Sequence, residues 1–318
     1  MSPLSGAIGE KPVTFTVRPT SAPVGAFVSG IDFARISRRD ASELYMAFLQ
    51  YGVLIFKDMD LGVSEHVTLA NLFGAPDEPH PLEELRHPEA PCLSVLAANG
   101  GKAVAPDDPD ADAIIGTIPW HADKMYTPKP NRGALLRSVV RPAEGGNTGW
   151  IDTCHLYETL PYRIKCKLQG LHIVHDYDVA YRAQSMVKGG LGRFPATLHP
   201  LIIIHPESNR PALNLSPASA DRIIGLPEDE AADLLAFLIE FGTNEAHAYV
   251  HSWAPGDLVA WDNLRAIHRA YGHKKRYPRV MHSMALEPEL TLGRFVADVQ
   301  GEAGLALSVP MASNAAFS

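Results

Sequence analysis

The chain has 318 residues, 46% of them hydrophobic and 20% charged, so it carries enough apolar material for a folded core. Its formal net charge of −8 argues against a general affinity for nucleic acid or for an anionic membrane. Its 14 His outnumber its 3 Cys, which show no CxxC spacing. We therefore expect neither a disulfide framework nor a thiolate zinc site, and imidazole and carboxylate groups are the expected ligands of any metal.

The N-terminal part is expected to begin with a loose arm over residues 1–12. The patterns that follow predict a strand, a helix, a second strand and a second helix, at 13–17, 37–52, 53–56 and 63–74. Asp40 and Ser64 are the predicted N-caps of the two helices. Residues 75–118 are rich in Pro, Gly, Asp and Ala, which predicts a long connecting segment.

From about residue 133 onward, short apolar runs separated by turn residues predict a series of strands. They lie at 134–140, 171–177, 201–205, 212–216, 248–253, 257–261 and 279–286. A single long amphipathic helix is predicted over 227–242. Many short strands with helices packed outside them favour one domain over 1–318, mainly β with outer helices (α+β), built as a sandwich or barrel.

The N-terminus shows no basic segment followed by an apolar one, which is the pattern of a signal peptide. No apolar run approaches the roughly 18 residues that span a membrane. We therefore expect a cytoplasmic protein with no membrane or nucleic-acid partner.

One short motif, WHAD at 120–123, offers candidate metal ligands. It places His121 and Asp123 two residues apart, so that on a strand both side chains project from one face. His268 offers a third ligand, because it follows a predicted strand that can return beside the first. Two imidazoles and one carboxylate leave adjacent positions of an octahedral ion open, which suits non-haem Fe(II) that handles O2. An HxD pair alone is weak evidence, since most such pairs have no metal role.

Further segments give the HxD pair its context. They are GGNT (145–148), HPLIIIHP (199–206), WDNLRAIHRA (261–270) and RVMH (279–282), with GAFVSGIDF (25–33) near the N-terminus. In residues, order and spacing, the chain resembles the TauD/TfdA family of Fe(II)/2-oxoglutarate-dependent dioxygenases over nearly its whole length. The resemblance implies a double-stranded β-helix, which is a jelly-roll, cupin-like barrel with outer helices.

The resemblance also implies roles for particular residues. His121, Asp123 and His268 would hold Fe(II), and Arg279 would bind the distal carboxylate of 2-oxoglutarate, as a guanidinium can do bidentately. Thr148 falls where the family supplies a hydroxyl to the same carboxylate. The presence of Asp123 disfavours halogenation, since related halogenases lack this carboxylate. The implied reaction consumes O2 and 2-oxoglutarate, releases CO2 and succinate, and hydroxylates a substrate C–H bond.

The substrate pocket departs from well-known relatives. Members acting on taurine or phenoxyacetates carry a second Arg four residues after the 2-oxoglutarate Arg, where this chain has Ser283. We expect Lys124, beside Asp123, to compensate by contacting an anionic or polar group of the substrate; the alternative is a solvated Lys, or one paired with an acid such as Asp107. Tyr126 and Thr117 are expected to border the same pocket.

Several points stay open from the sequence alone. The substrate is expected to be a small organic molecule, anionic or polar, and its oxidation can end in hydroxylation, desaturation or C–O cleavage. The open alternative to catabolism of such compounds is the tailoring of a metabolite. Remoter alternatives are a Zn-binding hydrolase and a non-catalytic barrel protein. By resemblance we expect a dimer or tetramer, in which the apolar tail at about 303–318 is either disordered or part of an interface.

Overall fold

The structure, a computed structural model, describes residues 13–299 except for 106, 178 and 180–193. The arm expected at 1–12 and the tail expected at about 303–318 lie outside the described residues. The strands are β1 (Thr16–Pro19), β2 (Ala26–Ser29), β3 (Val53–Phe56), β4 (Arg86–His87), β5 (Ala90–Ala98), β6 (Ile114–His121), β7 (Gly133–Val140), β8 (Thr148–Asp152), β9 (His172–His175), β10 (Thr197–Pro200), β11 (Ile202–Ile204), β12 (Pro211–Leu213), β13 (Ala220–Ile224), β14 (Tyr249–His251), β15 (Leu258–Asp262), β16 (Ala266–Lys274), β17 (Arg279–Ala285) and β18 (Arg294–Phe295). The helices are α1 (Arg38–Tyr51), α2 (Val63–Ala70), α3 (Thr153–Thr159), α4 (Tyr162–Lys167), α5 (Glu228–Gly242) and α6 (Val296–Val299). Within these residues, no helix has the length and apolar character that a membrane crossing requires.

Two sheets form the barrel that positions the site. The larger runs β1-β2-β3-β15-β7-β17-β5-β4, and the smaller runs β14-β8-β16-β6. A buried apolar cluster lies between them, with Val259 and Met281 from the larger sheet and Trp150 and Ala266 from the smaller. Burial of both inner faces in one core is the architecture of a jelly roll, and the predicted fold class is confirmed.

Helices cover the outer faces of both sheets, as predicted. Leu44 and Phe48 of α1 and Leu69 of α2 pack on the large sheet. Leu234 and Leu238 of α5 belong to a second cluster, which joins the small sheet to a further sheet with the order β13-β9-β10-β18. The amphipathic pattern of each helix therefore directs its apolar face onto a sheet.

The helix starts differ from the predictions by a few residues. In α1 the N-cap is Ser37, whose Oγ accepts from the Asp40 N–H at 3.1 Å, while the Asp40 carboxylate accepts from the Ser37 N–H at 3.1 Å. Asp40 thus completes a capping box from the third helical position instead of being the cap itself. In α2 the helix begins after Gly62, so Ser64 lies within its first turn.

The segment 75–118 was predicted as connecting material, and that prediction is wrong. It contains β4, β5 and β6, which pair with strands far along the chain: β5 with β17, and β6 with β16. Pro91 and Ser94 interrupt the apolar residues of β5 (APCLSVLAA), and Leu93 is its one fully buried residue, so the strand lacks the pattern of a buried apolar run. The acidic stretch before β6 is anchored to the turn after β16 by exposed ion pairs, including Arg276–Asp112 at 3.0 Å and Lys275–Asp108 at 3.6 Å.

Candidate active site

Two neighbouring strands of the small sheet bring the predicted metal ligands together. His121 ends β6, and His268 on β16 is its cross-strand partner, with the two ring centroids 4.0 Å apart. Asp123 lies in the turn just beyond β6, not on the strand as the motif spacing suggested. One oxygen of Asp123, Oδ1, lies 3.5 Å from His121 Nε2 and 3.7 Å from His268 Nε2. Three potential ligand atoms therefore converge on one point.

The protonation states of these groups suit a cation. His121 Nδ1 lies 2.8 Å from the Pro119 carbonyl oxygen, so Nδ1 donates there and the lone pair of Nε2 faces the cluster. Burial lowers the pKa of His268 to about 3, aided by His121, so its ring is neutral at neutral pH. Burial alone would raise the pKa of Asp123, but interactions with His268 and His121 outweigh it and lower that pKa to about 2. Neutral imidazoles and an ionised carboxylate are the forms that bind a metal.

The turn that carries Asp123 is held by Asn263, which the sequence placed only at the turn before His268. The Asp123 N–H donates to Asn263 Oδ1 at 2.8 Å, and Asn263 Nδ2 donates back to the Asp123 carbonyl at 3.0 Å. The same Nδ2 reaches the Asn131 carbonyl at 3.1 Å. Asp262 caps its own turn by accepting from the Leu264 N–H, and it also contacts His205 Nε2 at 2.9 Å. His205 thus has a structural role, holding Asp262.

Arg279, at the start of β17, is a half-buried cation without an anionic partner among the described residues. It forms no ion pair or hydrogen bond with the described residues, and burial lowers its pKa to about 10. Gly146 lies beside it: a Cβ at that position would be 3.4 Å from Arg279 Nε and 2.6 Å from Pro142 Cγ. Two residues further on, Thr148 begins β8 with 3% exposure, and its Oγ1 accepts a hydrogen bond from Trp253 Nε1. A half-buried guanidinium with no carboxylate partner fits a ligand that brings its own carboxylate.

A cavity of about 310 Å³ opens beside the cluster of ligand atoms. Its walls come from both sheets and from the turn after β6. Its lining residues are His80, Ser94, Leu96, Ile118, His121, Ala122, Asp123, Lys124, Tyr126, Asn131, Ala134, Ser216, Ala218, Ser219, Ser283 and Ala285. Ser94 and Ser283 are cross-strand partners, so two hydroxyl-bearing side chains share one wall. The cavity is therefore mixed in character and of a size for a small molecule.

Lys124 lines this cavity and is paired with an acid other than the one considered from sequence. Its Nζ lies 2.5 Å from Asp77 Oδ2, and Asp107 is not its partner. Asp77 is 9% exposed and also accepts from Asn131 Nδ2 at 2.7 Å. Lys124 has a φ of 55°, a left-handed conformation that a Lys adopts at a cost and that aims its side chain across the turn.

Tyr126 also lines the cavity, but Thr117 does not. Burial raises the pKa of Tyr126, and its ring packs against Tyr177 and Phe194, with centroids 4.8 Å and 5.4 Å away. Thr117 is exposed, and its neighbour Ile118 lines the cavity instead. The reason is a bulge in β6: His121 pairs with His268 but Ile118 pairs with Ala270, so one extra residue reverses the alternation of side chains.

Residues that sequence reasoning missed are Asp77, His80, Ser94 and Asn131 on the cavity side, and Trp253 beside Thr148. Asp77 and Ser94 lie in the segment that was taken for a loop, so no strand pattern placed them. Trp253 ends the segment 248–253 before β15, and nothing in that segment indicates that its indole binds Thr148. These contacts join residues far apart in the chain, such as Lys124 and Asp77, which are separated by 47 positions.

A jelly-roll barrel that gathers two imidazoles and one carboxylate beside a small-molecule cavity is the architecture of a non-haem iron oxygenase. The family model described as taurine catabolism dioxygenase TauD, TfdA family matches residues 16–285. The chain belongs to this family, as its motifs predicted.

Similar proteins agree with this assignment. An (S)-phenoxypropionate/alpha-ketoglutarate-dioxygenase of Sphingobium herbicidovorans is 33% identical over 277 residues, which cover 84% of this chain and 93% of that protein. An alkylsulfatase of Acinetobacter baylyi is 29% identical, covering 87% and 86%. The crystal structure of AAD-2 in complex with Mn(II) and N-oxalylglycine superimposes with a TM-score of 0.72 at 25% identity, covering 88% of this chain and 98% of that one. The predicted class, a non-haem Fe(II)/2-oxoglutarate-dependent dioxygenase, is confirmed.

Proposed function

We propose that this dioxygenase oxidises a small organic anion, with Fe(II) held by His121, Asp123 and His268 and 2-oxoglutarate held by Arg279 and Thr148. The observation that carries the proposal is the convergence of His121 Nε2, Asp123 Oδ1 and His268 Nε2 beside the cavity, which His121 and Asp123 line. The Arg279 guanidinium, which has no anionic partner among the described residues, supports the cosubstrate assignment. The bound iron supplies O2 activation, driven by oxidative decarboxylation of 2-oxoglutarate.

The protein's own contribution is binding and orientation. Arg279 has five donors and no acceptor, so it fixes a carboxylate in one geometry. His121 keeps its tautomer through Pro119, and Asn263 fixes the backbone of Asp123. The site is therefore preorganised for its metal and cosubstrate.

Lys124 supports an anionic substrate. An ammonium group has three donors, and the pair with Asp77 uses one of them, so two remain for a carboxylate or sulfate in the cavity. Lys124 is the one Lys or Arg among the described residues that line the cavity. Leu96, Ile118 and Tyr126 offer an apolar wall for the rest of the molecule. Relatives that act on phenoxypropionate and that are named alkylsulfatase have substrates of this shape.

We infer hydroxylation at a carbon near the anionic group. If that carbon also bears an ether or sulfate-ester oxygen, its C–O bond to that oxygen breaks after hydroxylation: the new hydroxyl becomes the C=O of a carbonyl compound, and its proton goes to the departing alcohol, phenol or sulfate. Ser283 and Ser94, which line the same cavity, would provide neutral hydrogen bonds to the substrate. Taurine, whose recognition in relatives relies on a second Arg, is not expected to be a good substrate here.

The test measures succinate and product mass together, with Fe(II), O2 and 2-oxoglutarate present. The substrate panel contains (S)- and (R)-2-phenoxypropionate, phenoxyacetate, a medium-chain alkyl sulfate, taurine and the neutral amide of each phenoxy acid. We expect turnover of at least one carboxylate or sulfate and a large preference for it over its neutral amide. Turnover confined to neutral compounds would refute the anionic-substrate proposal and favour metabolite tailoring.

Two lysine variants separate recognition from folding. Lys124→Met is expected to raise KM for the anion roughly tenfold or more and to leave KM for its neutral amide nearly unchanged, so the preference shrinks. Lys129→Met is the matched control, because Lys129 is exposed five residues further along and does not line the cavity. An unchanged anion preference in Lys124→Met would remove Lys124 from the substrate site. His121→Ala is expected to abolish succinate release, and retained release would overturn the metal assignment.

A further inference from the structure

The indole of Trp253 is bonded in a way that the other tryptophans are not. Its Nε1–H donates to Thr148 Oγ1 at 3.0 Å, and both residues are buried. The remaining tryptophans have buried indole N–H groups without a partner among the described residues, and they are Trp120, Trp150 and Trp261. This hydrogen bond connects a large, rigid side chain to a residue of the proposed cosubstrate site.

The orientation of Trp253 is itself fixed by a chain of buried groups. The His251 ring packs edge-on against it, with centroids 4.7 Å apart and planes at 88°. The Asp257 carboxylate can only accept, so His251 Nε2–H donates to it at 3.0 Å, and the other ring nitrogen, Nδ1, lies 3.0 Å from Tyr249 OH. Asp257 is completely buried and also binds Lys57 Nζ at 2.5 Å. None of these groups touches the metal cluster or lines the cavity.

The consequence falls on the Thr148 hydroxyl. A hydroxyl has one hydrogen to donate and two lone pairs that accept. Because the indole N–H occupies a lone pair, the hydroxyl hydrogen is turned away from Trp253. Thr148 Oγ1 donates to no acceptor among the described residues, although Thr148 is 3% exposed. A buried donor of this kind is expected to find an acceptor in a ligand.

We propose that Trp253 is a positioning residue for the cosubstrate: it orients the Thr148 hydroxyl so that the hydroxyl donates to the distal carboxylate of 2-oxoglutarate beside Arg279. This inference rests on the proposed cosubstrate site. His251 and Asp257 act one step further back, by holding the indole plane. Trp253 touches Thr148 and not the ligand, so it strengthens 2-oxoglutarate binding without taking part in the chemistry.

The experiment measures binding, not turnover. The Mn(II)-loaded protein is titrated calorimetrically with 2-oxoglutarate and with N-oxalylglycine. Trp253→Phe removes the N–H and keeps an aromatic ring, and we expect it to raise both dissociation constants about 5- to 10-fold, the effect of one buried hydrogen bond. Trp150→Phe is the matched control: it lies in the same apolar cluster, and its N–H has no partner. It is expected to change the constants less than twofold.

A double-mutant cycle tests whether Trp253 acts through Thr148. In a Thr148→Val background the added Trp253→Phe change is expected to have no further effect on 2-oxoglutarate binding. With 2-oxoglutarate saturating, kcat of Trp253→Phe returns to the wild-type value, which a general loss of structure would not allow. His251→Ala, which keeps the indole N–H but frees the ring, serves if Trp253→Phe fails to fold; it is expected to weaken binding two- to fourfold, and only with Thr148 present.

The outcomes distinguish a failure of the role proposed for Trp253 from a failure of the proposed cosubstrate site. Unchanged binding in Trp253→Phe, or an equal loss in the presence and absence of the Thr148 hydroxyl, overturns the role of Trp253. Unchanged binding in both Thr148→Val and Arg279→Gln instead overturns the cosubstrate site on which it rests. An effect of Trp253→Phe on Mn(II) affinity as large as that on 2-oxoglutarate would also refute it, since a positioning role through Thr148 leaves the metal ligands untouched.

Discussion

Replacing Asn263 by Ala tests whether the backbone around Asp123 is preorganised for metal. Asn263 is 3% exposed and makes three hydrogen bonds, two to the Asp123 backbone and one to the Asn131 carbonyl. At about 1 kcal/mol each, their loss is expected to destabilise the protein by about 2–4 kcal/mol. Freed from this clamp, Asp123 no longer holds its carboxylate toward the two imidazoles. Loss of such a supporting contact typically lowers metal affinity by about 10- to 100-fold.

The assay titrates Mn(II) anaerobically into each variant and follows both binding and the metal-induced rise in Tm. Asn214→Ala is the matched control, because Asn214 is also a buried Asn that donates to a backbone carbonyl, that of Pro200, and it contacts neither Asp123 nor its turn. We expect Asn214→Ala to lose stability but to keep wild-type Mn(II) affinity. If Asn263→Ala binds Mn(II) as tightly as the wild type, the clamp does not preorganise the site and the reasoning fails.

Three further predictions concern other parts of the molecule. Asp152→Asn leaves Arg265, which is 1% exposed, without its carboxylate partner, and is expected to lower the free energy of unfolding in urea by about 3–5 kcal/mol. Lys167→Ala breaks an exposed ion pair with Glu230 and is expected to lower it by less than about 1 kcal/mol. Similar losses in the two variants would contradict this prediction. Burial, helped by Arg137 and His282, lowers the pKa of His66 to about 3, so the unfolded chain gains a proton there that the folded protein does not between about pH 6.5 and 3. Stability should therefore fall as the pH falls through that window, less steeply in His66→Leu, and parallel profiles would contradict this. Gly146→Ala, at φ +73° with its Cβ 2.6 Å from Pro142 Cγ and 3.4 Å from Arg279 Nε, should weaken 2-oxoglutarate binding measured by calorimetry. Gly100→Ala, at φ +62° with no atom within 4 Å, adds backbone strain alone and should bind 2-oxoglutarate normally. Equal binding in both variants would count against placing the cosubstrate beside Gly146.

Sequence patterns predicted those elements of the fold that have a clear local hydrophobic periodicity. The long helix expected at 227–242 is present as α5, and the predicted strand 134–140 is β7 within one residue. Each buries an apolar face or run that periodicity makes visible. The strand pattern alone was compatible with either a sandwich or a barrel. The resemblance of the motifs to the TauD/TfdA family favoured the double-stranded β-helix.

What the sequence could not supply are contacts set by distant pairing. The bulge in β6 arises from its register with β16, and it replaces Thr117 by Ile118 at the cavity wall. The partner of Lys124 lies in a segment whose small, half-exposed residues gave no strand signal. The clamp on Asp123 joins residues 140 positions apart. Local spacing therefore indicated which side chains carry the chemistry, while the side chains that hold them emerged only from the assembled sheets.

The position of the cavity's cation has a consequence for how substrate binds. Ser283 lies on β17, four residues after Arg279, where relatives acting on taurine place a guanidinium. In this chain the cation instead sits on the turn directly after Asp123, and Asp77 ties it to the segment leading into β4. Under the proposed function, an anion that binds Lys124 would lie at the ligand-bearing turn, not at the β17 wall. Lys124 would then determine which substrate carbon lies nearest the iron, and Ser94 and Ser283, on the paired strands β5 and β17, would contact the neutral part of the molecule.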